Sequence, residues 1–205
     1  MLCYGERAVR RFSLIHIGRD VVIKRNVFNE KQCKSLIAIC DDERSLKIVN
    51  DRLNPDNMYN LETSFTDVKL LLKNAPNLQS FIKGHIHDAV NGYCKFRGLP
   101  SLGTRFDNPE LMKFEAGKDQ FASHFDGNGK DCTRTLAIIW YLNDVNEGGE
   151  LHLPSNTEAL VINPEQGKMV IVPTDWTHYH YVSTPISNDR YSLITFIRYS
   201  GDNNE

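Results

Sequence analysis

Two histidines and an aspartate have the residue types and the spacing that a divalent metal ion requires. His124 and Asp126 stand at positions i and i+2 of FASHFDG, and a β-strand points such residues to one face. His178 and His180 follow in the later segment WTHYHYV, the second of them fifty-six residues after His124. Two imidazoles and one carboxylate form a facial triad that suits iron(II) and leaves coordination positions open. An H-x-D pair alone also fits a surface strand with two polar residues on its solvent-exposed face.

Arg190 is a candidate anion-binding residue. It begins the apolar segment RYSLITF, where an arginine is costly unless its planar guanidinium meets a carboxylate. A dicarboxylic acid bound at the metal would supply that partner. For an arginine at a strand end, pairing with Asp189 or with solvent is the alternative.

The first half of the chain contains the helices that must support the site. Residues 7–28, with the run VVI at 21–23, predict one or two strands. Asn29 followed by Gln32 is the signature of a capping box, and apolar residues at helical spacing come after it. Further helices are expected over 66–73 and 77–93. The long segment 42–63 has no clear period and is a candidate lid, or else a disordered tether.

The second half of the chain is typical of β structure. Clusters of Gly, Asn, Asp and Pro separate eight predicted strands, at 111–115, 121–126, 134–142, 149–153, 158–163, 168–173, 178–182 and 190–199. Eight short strands indicate a barrel or sandwich, and jelly rolls have eight. We therefore expect a mainly β fold with supporting α, in which N-terminal helices (about 1–105) buttress a cupin-like double-stranded β-helix (about 106–200). A chain of 205 residues has the size of one domain, 1–205.

Four motifs and one connecting stretch occur in order between about residues 110 and 200. They are F-x-x-G-x-x-x-F-x-x-H-x-D (114–126), R-T-x-x-x-x-W-Y-L-N (134–143), E-G-G-E-L-x-L-P (147–154), INPEQGKMVIVP (162–173) and H-x-V-x-x-P-x-x-x-x-R-Y (180–191). This series resembles the prolyl 4-hydroxylase-like branch of the 2-oxoglutarate/Fe(II)-dependent dioxygenase superfamily. In that family the second iron histidine precedes the basic cosubstrate residue by nine or ten positions. The spacing favours His180, ten residues before Arg190, over His178.

The resemblance implies a cofactor and a set of site residues. Iron(II) would be held by the two histidines and the aspartate, with 2-oxoglutarate and O₂ as cosubstrates and ascorbate as reductant. Tyr141 and Arg190 would hold the far carboxylate of 2-oxoglutarate, although Tyr141 also fits a core aromatic position. Arg134 and Phe121 would lie near the substrate. No catalytic residue beyond the metal ligands is expected.

The expected reaction is hydroxylation of an unactivated C–H bond, with succinate and CO₂ as coproducts. The resemblance implies a prolyl residue in a peptide or protein as substrate. Phe114 and Phe121, however, stand where prolyl hydroxylases commonly carry tyrosines. The alternatives are the same chemistry on a free amino acid, a small metabolite or alkylated nucleic acid, and a non-catalytic cupin-like module that only binds metal.

Composition narrows the partners and the location. The 24 basic and 26 acidic residues are interspersed, so the chain has no field that would gather nucleic acid or anionic membrane. Its apolar stretches fall far short of the ~20 residues of a membrane span, and its start has no export signal. The five cysteines are odd in number and form no C-x-x-C pair, which favours reduced thiols. A soluble cytoplasmic protein is expected, and the sequence does not predict its oligomeric state.

Overall fold

A computed structural model describes residues 14–41, 47–49, 64–67, 76–102 and 105–199 of the chain. Two α-helices lie in these ranges, α1 (Glu30–Asp41) and α2 (Pro76–Arg97). The strands in the same ranges are β1 (Ile15–Gly18), β2 (Val21–Lys24), β3 (Lys47–Val49), β4 (Ser64–Asp67), β5 (Glu110–Phe114), β6 (Phe121–His124), β7 (Arg134–Tyr141), β8 (Leu151–Leu153), β9 (Leu160–Ile162), β10 (Met169–Pro173), β11 (His180–Val182) and β12 (Arg190–Arg198).

The strands form two antiparallel sheets. The large sheet has the order β1-β2-β10-β7-β12-β5-β4-β3, and the small sheet has the order β6-β11-β8-β9. Strands β5 to β12 therefore supply four neighbouring strands of the large sheet and all of the small sheet, which is a jelly-roll arrangement. The predicted double-stranded β-helix is confirmed, and each of the eight strands predicted after residue 110 is present.

Period-two alternation assigns the two faces of the large sheet. In β7, Leu136, Ile138 and Trp140 belong to a core shared with the helices, whereas Ile139 and Tyr141 belong to a second core inside the barrel. The chain thus buries apolar residues on both faces of this sheet, which explains why β7 reads as a nearly continuous apolar run.

The two helices cover the outer face of the large sheet. Asn29 Oδ1 accepts a hydrogen bond from Gln32 N (3.0 Å) and Gln32 Oε1 accepts one from Asn29 N (2.8 Å), so the predicted capping box is confirmed. Helix α2 is longer than the predicted 77–93 and buries one face against the same core. The buried residues of that face are Ile82, Ile86, Ala89, Val90, Tyr93 and Cys94.

Two predictions for the first half need correction. A helix beginning at Thr66 is wrong, because Thr66 and Asp67 lie in β4 and pair with Leu111 and Glu110 of β5. Pairing with an existing sheet edge outweighs the local helical pattern there. Within the candidate lid 42–63, residues 47–49 form β3 at the edge of the large sheet, so this part is a strand. Residues 42–46, 50–63 and 68–73, like the strand positions 7–13, lie outside the described residues.

None of the helices in the described part of the chain is both long enough and apolar enough to cross a membrane. The longer one, α2, carries charged residues along its exposed face.

Candidate metal centre and cosubstrate pocket

Three side chains, from two paired strands of the small sheet and the loop after β6, lie close together. His124 ends β6, His180 begins β11, and the two residues are direct Cα partners in the pairing of these strands. Asp126 follows two residues after His124. One ligand atom from each side chain lies within 4.8 Å of the others. No other group of three such residues is found within the described ranges.

The spacing of the donor atoms suits a shared ion. His124 Nε2 lies 3.4 Å from Asp126 Oδ1, and His180 Nε2 lies 3.7 Å from Asp126 Oδ2. Ligands of a divalent ion with bonds of about 2.1 Å stand roughly 3 Å apart. A small contraction would therefore bring all three donors to one ion and leave the opposite side open.

Backbone carbonyls fix the tautomer of both imidazoles. His124 Nδ1 lies 2.7 Å from the carbonyl of Ala122, and His180 Nδ1 lies 2.9 Å from the carbonyl of His178. A carbonyl can only accept, so each Nδ1 carries the proton. Each Nε2 then presents its lone pair to the position between the three side chains.

The electrostatics of the site favour the metal-binding protonation states. Burial raises the pKa of Asp126, but the hydrogen bond that a protonated His124 donates and the charges of the protonated histidines and of Arg134 outweigh it, so this pKa is held below its usual value. Burial also lowers the pKa of His180, although Asp126 opposes the effect. Near neutral pH the site therefore offers a carboxylate and a neutral imidazole.

His178, the alternative metal ligand, is engaged elsewhere. Its Nε2 lies 2.6 Å from the carbonyl of Arg19, and its Nδ1 lies 3.2 Å from Asp175 Oδ1. The residue is 6% exposed and lies in a short 3₁₀ turn, Trp176–His178, before β11. With both ring nitrogens occupied, His178 has no free donor atom for a metal.

Arg190 and Tyr141 lie inside the barrel, on the inner face of the large sheet. The guanidinium of Arg190 stands 4.7 Å from the ring centre of Phe114 and 5.1 Å from that of Tyr141, and the residue is 2% exposed. Among the described residues, Arg190 Nε and Tyr141 Oη are buried atoms without a hydrogen-bond partner. The third such atom, Trp140 Nε1, is on the helix-facing side of the sheet. Burial raises the pKa of Tyr141 against the lowering effect of Arg190, so its hydroxyl remains a donor.

The alternative partner for Arg190 is already used. Asp189 accepts hydrogen bonds from Ala116 N (2.9 Å) and from Lys113 Nζ (3.1 Å). A buried cation beside an unpaired phenol is costly unless a ligand completes the pair. The donor set, a guanidinium fork and a phenol, fits the carboxylate of a 2-oxo dicarboxylic acid.

Two residues of this pocket were missed by the sequence reasoning. Gly149 has φ +75°, and a Cβ on it would stand 3.2 Å from Arg190 Cδ, so the Glu147–Glu150 turn supports the arginine side chain. Ser192 lies two residues after Arg190, pairs with Tyr141 across β12 and β7, and is 1% exposed. The i, i+2 spacing from Arg190 was the available signal for Ser192. No sequence pattern pointed to the contact of Gly149.

The two residues expected near the substrate differ in their surroundings. The ring of Phe121 lies 4.1 Å from the ring of His124, beside the metal ligands. Arg134 forms ion pairs with Asp107 (3.0 Å) and Asp131 (3.4 Å) and stacks on Phe196 at 3.7 Å. The charge of Arg134 is thus balanced by protein carboxylates.

Comparisons with known proteins agree with this geometry. The family model described as the 2OG-Fe(II) oxygenase superfamily matches residues 110–198, the segment that contains the triad, Tyr141 and Arg190. A search of curated protein sequences returns no match.

Solved structures of prolyl hydroxylases have the same fold. A Trichoplax adhaerens prolyl hydroxylase, in complex with a hypoxia inducible factor peptide fragment, is 16% identical, with a TM-score of 0.66 over 88% of this chain and 84% of that one. A Pseudomonas putida prolyl-4-hydroxylase is 17% identical, with a TM-score of 0.56 over 89% and 94% of the two chains. A viral collagen prolyl hydroxylase from Paramecium Bursaria Chlorella virus-1 is 15% identical, with a TM-score of 0.56 over 89% and 98%.

The family match and the shared jelly roll agree with the resemblance of the motifs. The resemblance predicted from the motifs is confirmed at the level of the 2OG-Fe(II) oxygenase superfamily. Residues 110–198 are thus similar to the 2OG-Fe(II) oxygenase superfamily, whose name implies 2-oxoglutarate and Fe(II).

Proposed function

We propose that this protein hydroxylates an unactivated C–H bond of a prolyl residue in a peptide or protein, with succinate and CO₂ as coproducts. The observation that carries the oxygenase chemistry is the unpaired Arg190 and Tyr141 inside the same barrel as the His124, Asp126 and His180 triad. A structural metal site would need no second, empty anion pocket beside it.

The triad would hold iron(II) through the Nε2 atoms of His124 and His180 and a carboxylate oxygen of Asp126. When bound, the iron with its 2-oxo acid supplies the oxygen activation that no amino-acid side chain can supply. Arg190 and Tyr141 would bind the far carboxylate, so the 2-oxo acid arrives oriented toward the open face of the triad. Ascorbate is proposed as the reductant that keeps the iron in the ferrous state.

The prolyl substrate rests on two points. The similar solved structures are prolyl hydroxylases by name, and one of them is in complex with a peptide. Phe121, beside His124, offers an apolar wall on which a pyrrolidine ring can pack. Arg134 would lie at the edge of this surface and contact the peptide through atoms that its ion pairs leave accessible.

Succinate formation tests the proposal. Anaerobically purified protein receives Fe(II), 2-oxoglutarate, ascorbate and air, with and without a panel of proline-rich peptides. We expect turnover to rise when a substrate peptide is present, and the mass of that peptide to increase by 16 Da. Turnover should vanish in His180→Ala. The control His85→Ala removes an imidazole that packs between Phe28 and Phe81, away from the site, and should retain turnover.

Other outcomes separate the levels of the proposal. Turnover that depends on His180 but ignores every peptide would overturn the prolyl substrate and redirect the search to amino acids, metabolites or alkylated nucleic acid. Metal binding without any turnover would overturn the oxygenase function itself.

A further inference from the structure

The turn between β1 and β2 has an unusual backbone. Arg19 and Asp20 both have positive φ, 49° and 61°, in a two-residue hairpin turn where glycine or asparagine is the usual choice. Helix α2 holds the turn in place, because Arg97 Nη1 contacts Asp20 Oδ1 at 2.6 Å and Tyr93 Oη donates to the Asp20 carbonyl at 3.1 Å. Residues other than glycine persist in this conformation where the surrounding structure holds them, as α2 does here.

The guanidinium of Arg19 reaches across to the end of the barrel that carries the triad. It donates to the carbonyl of Leu153, the last residue of β8 (3.1 Å), and to that of Pro154, the next residue (3.2 Å). It also donates to the carbonyl of Thr177, in the short 3₁₀ turn that leads into β11. One side chain therefore ties the turn before His180 to the neighbouring strand.

The carbonyl of Arg19 continues the connection to the metal ligand. It accepts a hydrogen bond from the buried His178 at 2.6 Å. The carbonyl of His178 in turn accepts the Nδ1 proton of His180 at 2.9 Å. The path from Arg19 to His180 thus consists of two short hydrogen bonds through one buried residue.

We propose that Arg19 and His178 are positioning residues for His180. They hold the His178 carbonyl where it fixes the tautomer and ring orientation of that imidazole. This inference rests on the iron site of the proposed function. Arg19 lies in the β1–β2 hairpin, outside residues 110–198, the part of the chain that the family model matches.

The expected effect follows from how such outer groups act on metals. Groups that orient a ligating histidine typically change metal affinity by about 10- to 100-fold when removed. Without Arg19 or His178, the His178 carbonyl becomes free to shift and the ring of His180 to rotate. Metal affinity should therefore fall while the fold remains.

Cobalt(II) titration followed by its visible absorption tests this inference without any turnover. The variants are Arg19→Asn, which tolerates the same backbone conformation but lacks the guanidinium, and His178→Leu, which lacks the ring donor. We expect each to bind cobalt about tenfold more weakly and with an altered spectrum. His178→Gln, which retains an amide donor, should recover part of the affinity.

A matched control separates positioning from general stability. Arg25→Asn makes the same substitution at an exposed ion pair with Glu165 (3.1 Å) and should leave cobalt affinity and spectrum unchanged. The double variant Arg19→Asn/His178→Leu should lose less than the product of the single effects, because both act through one carbonyl.

Three results would overturn the inference. Unchanged affinity and spectrum in Arg19→Asn and His178→Leu, even with a lower melting temperature, would reduce both residues to a structural role. If the loss of cobalt affinity in the double variant equalled the product of the two single losses, Arg19 and His178 would act independently and not through one carbonyl. Wild-type protein that binds no cobalt would instead overturn the iron site, and the proposed function with it.

Discussion

Arg190 and Tyr141 combine a buried cation and a buried phenol whose polar atoms include two without partners among the described residues. The barrel tolerates this because the aromatic rings of Phe114 and Tyr141 flank the guanidinium. A site of this kind is costly for folding and favourable for binding, since a carboxylate ligand gains interactions that the empty pocket lacks.

Tyr141→Phe should therefore weaken 2-oxoglutarate binding without harming the empty protein. A hydrogen bond to a charged group is worth about 1.5–3 kcal/mol, so the KM for 2-oxoglutarate should rise about tenfold or more. The melting temperature without cosubstrate should not fall, because the lost hydroxyl had no partner. Steady-state kinetics and thermal unfolding measure the two effects.

Tyr191→Phe is the control for that prediction. The Tyr191 hydroxyl donates to Asp41 at 3.0 Å on the opposite face of β12. Its removal should lower the melting temperature and leave the KM for 2-oxoglutarate unchanged. The reverse pattern in the two variants would place the cosubstrate elsewhere.

Gly149→Ala should also disturb the cosubstrate pocket. The new methyl group would stand 3.2 Å from Arg190 Cδ and displace that side chain. We expect the KM for 2-oxoglutarate to rise about fivefold, because small displacements of orienting groups are costly. Gly117→Ala is the matched control, since Gly117 has a similar φ of +73° but open space around it. Both variants should lose about 1 kcal/mol of stability from backbone strain, and equal KM values would refute the contact.

The site could be predicted from sequence as far as spacing carries information. The H-x-D pair and the ten-residue interval from His180 to Arg190 follow from strand periodicity and family pattern, and the predicted triad residues do lie together. Arg19 could not be predicted, because its contacts join residues more than a hundred positions apart. Such contacts depend on how the hairpin packs on the small sheet.

Among the elements, α1 depends most visibly on its first turn. Asn29→Ala would remove the acceptor for Gln32 N and leave an unsatisfied donor at the start of the helix. We expect a loss of about 1 kcal/mol in the free energy of unfolding, measured by chemical denaturation. Lys34→Ala, which breaks a fully exposed ion pair with Glu30, should cost much less than the loss of the cap. Equal losses would mean that the capping box contributes nothing special.

The strands were easier to predict than the N-terminal elements. Strands β5 to β12 have an apolar periodicity that is bounded by turn residues. The local sequence alone therefore marks where each of these strands begins and ends. Strand β4 carries no such pattern, because Thr66 and Asp67 are strand residues through pairing with other strands, above all with β5. A local pattern cannot report a partner forty-five residues away.

At the scale of the whole molecule, Asp189 links the end of β12 to β5. Burial raises its pKa, but hydrogen bonds from Ala116 N and Lys113 outweigh this, so the pKa lies below the ordinary 3.8. A lowered folded-state pKa gives stability that is present above the unfolded value and is lost as pH falls through the folded one. Asp189 should therefore stabilise the protein above about pH 4 and lose that contribution below it.

Asp189→Asn should make the stability of the protein depend less on pH in the acidic range. The variant should melt lower than wild type near pH 7 and lose less further stability on acidification to about pH 2–3. Asp88→Asn removes a carboxylate from the exposed face of α2 and should leave the curve close to wild type. Parallel wild-type and Asp189→Asn curves would show that the Lys113 and Ala116 contacts do not couple to folding.

That the chain forms a single domain and that it is located in the cytoplasm both stay predictions.

The direct pairing of His124 with His180 has a consequence for how the protein matures. During synthesis, a chain that has emerged as far as Asp126 carries two of the three ligands, and the third arrives fifty-four residues later. A slip of one residue between β6 and β11 would turn the His180 side chain to the outer face of the sheet. Iron binding by all three side chains would therefore require β11 to pair with β6 in register, so a metal site of this kind would also report on the correct closure of the small sheet.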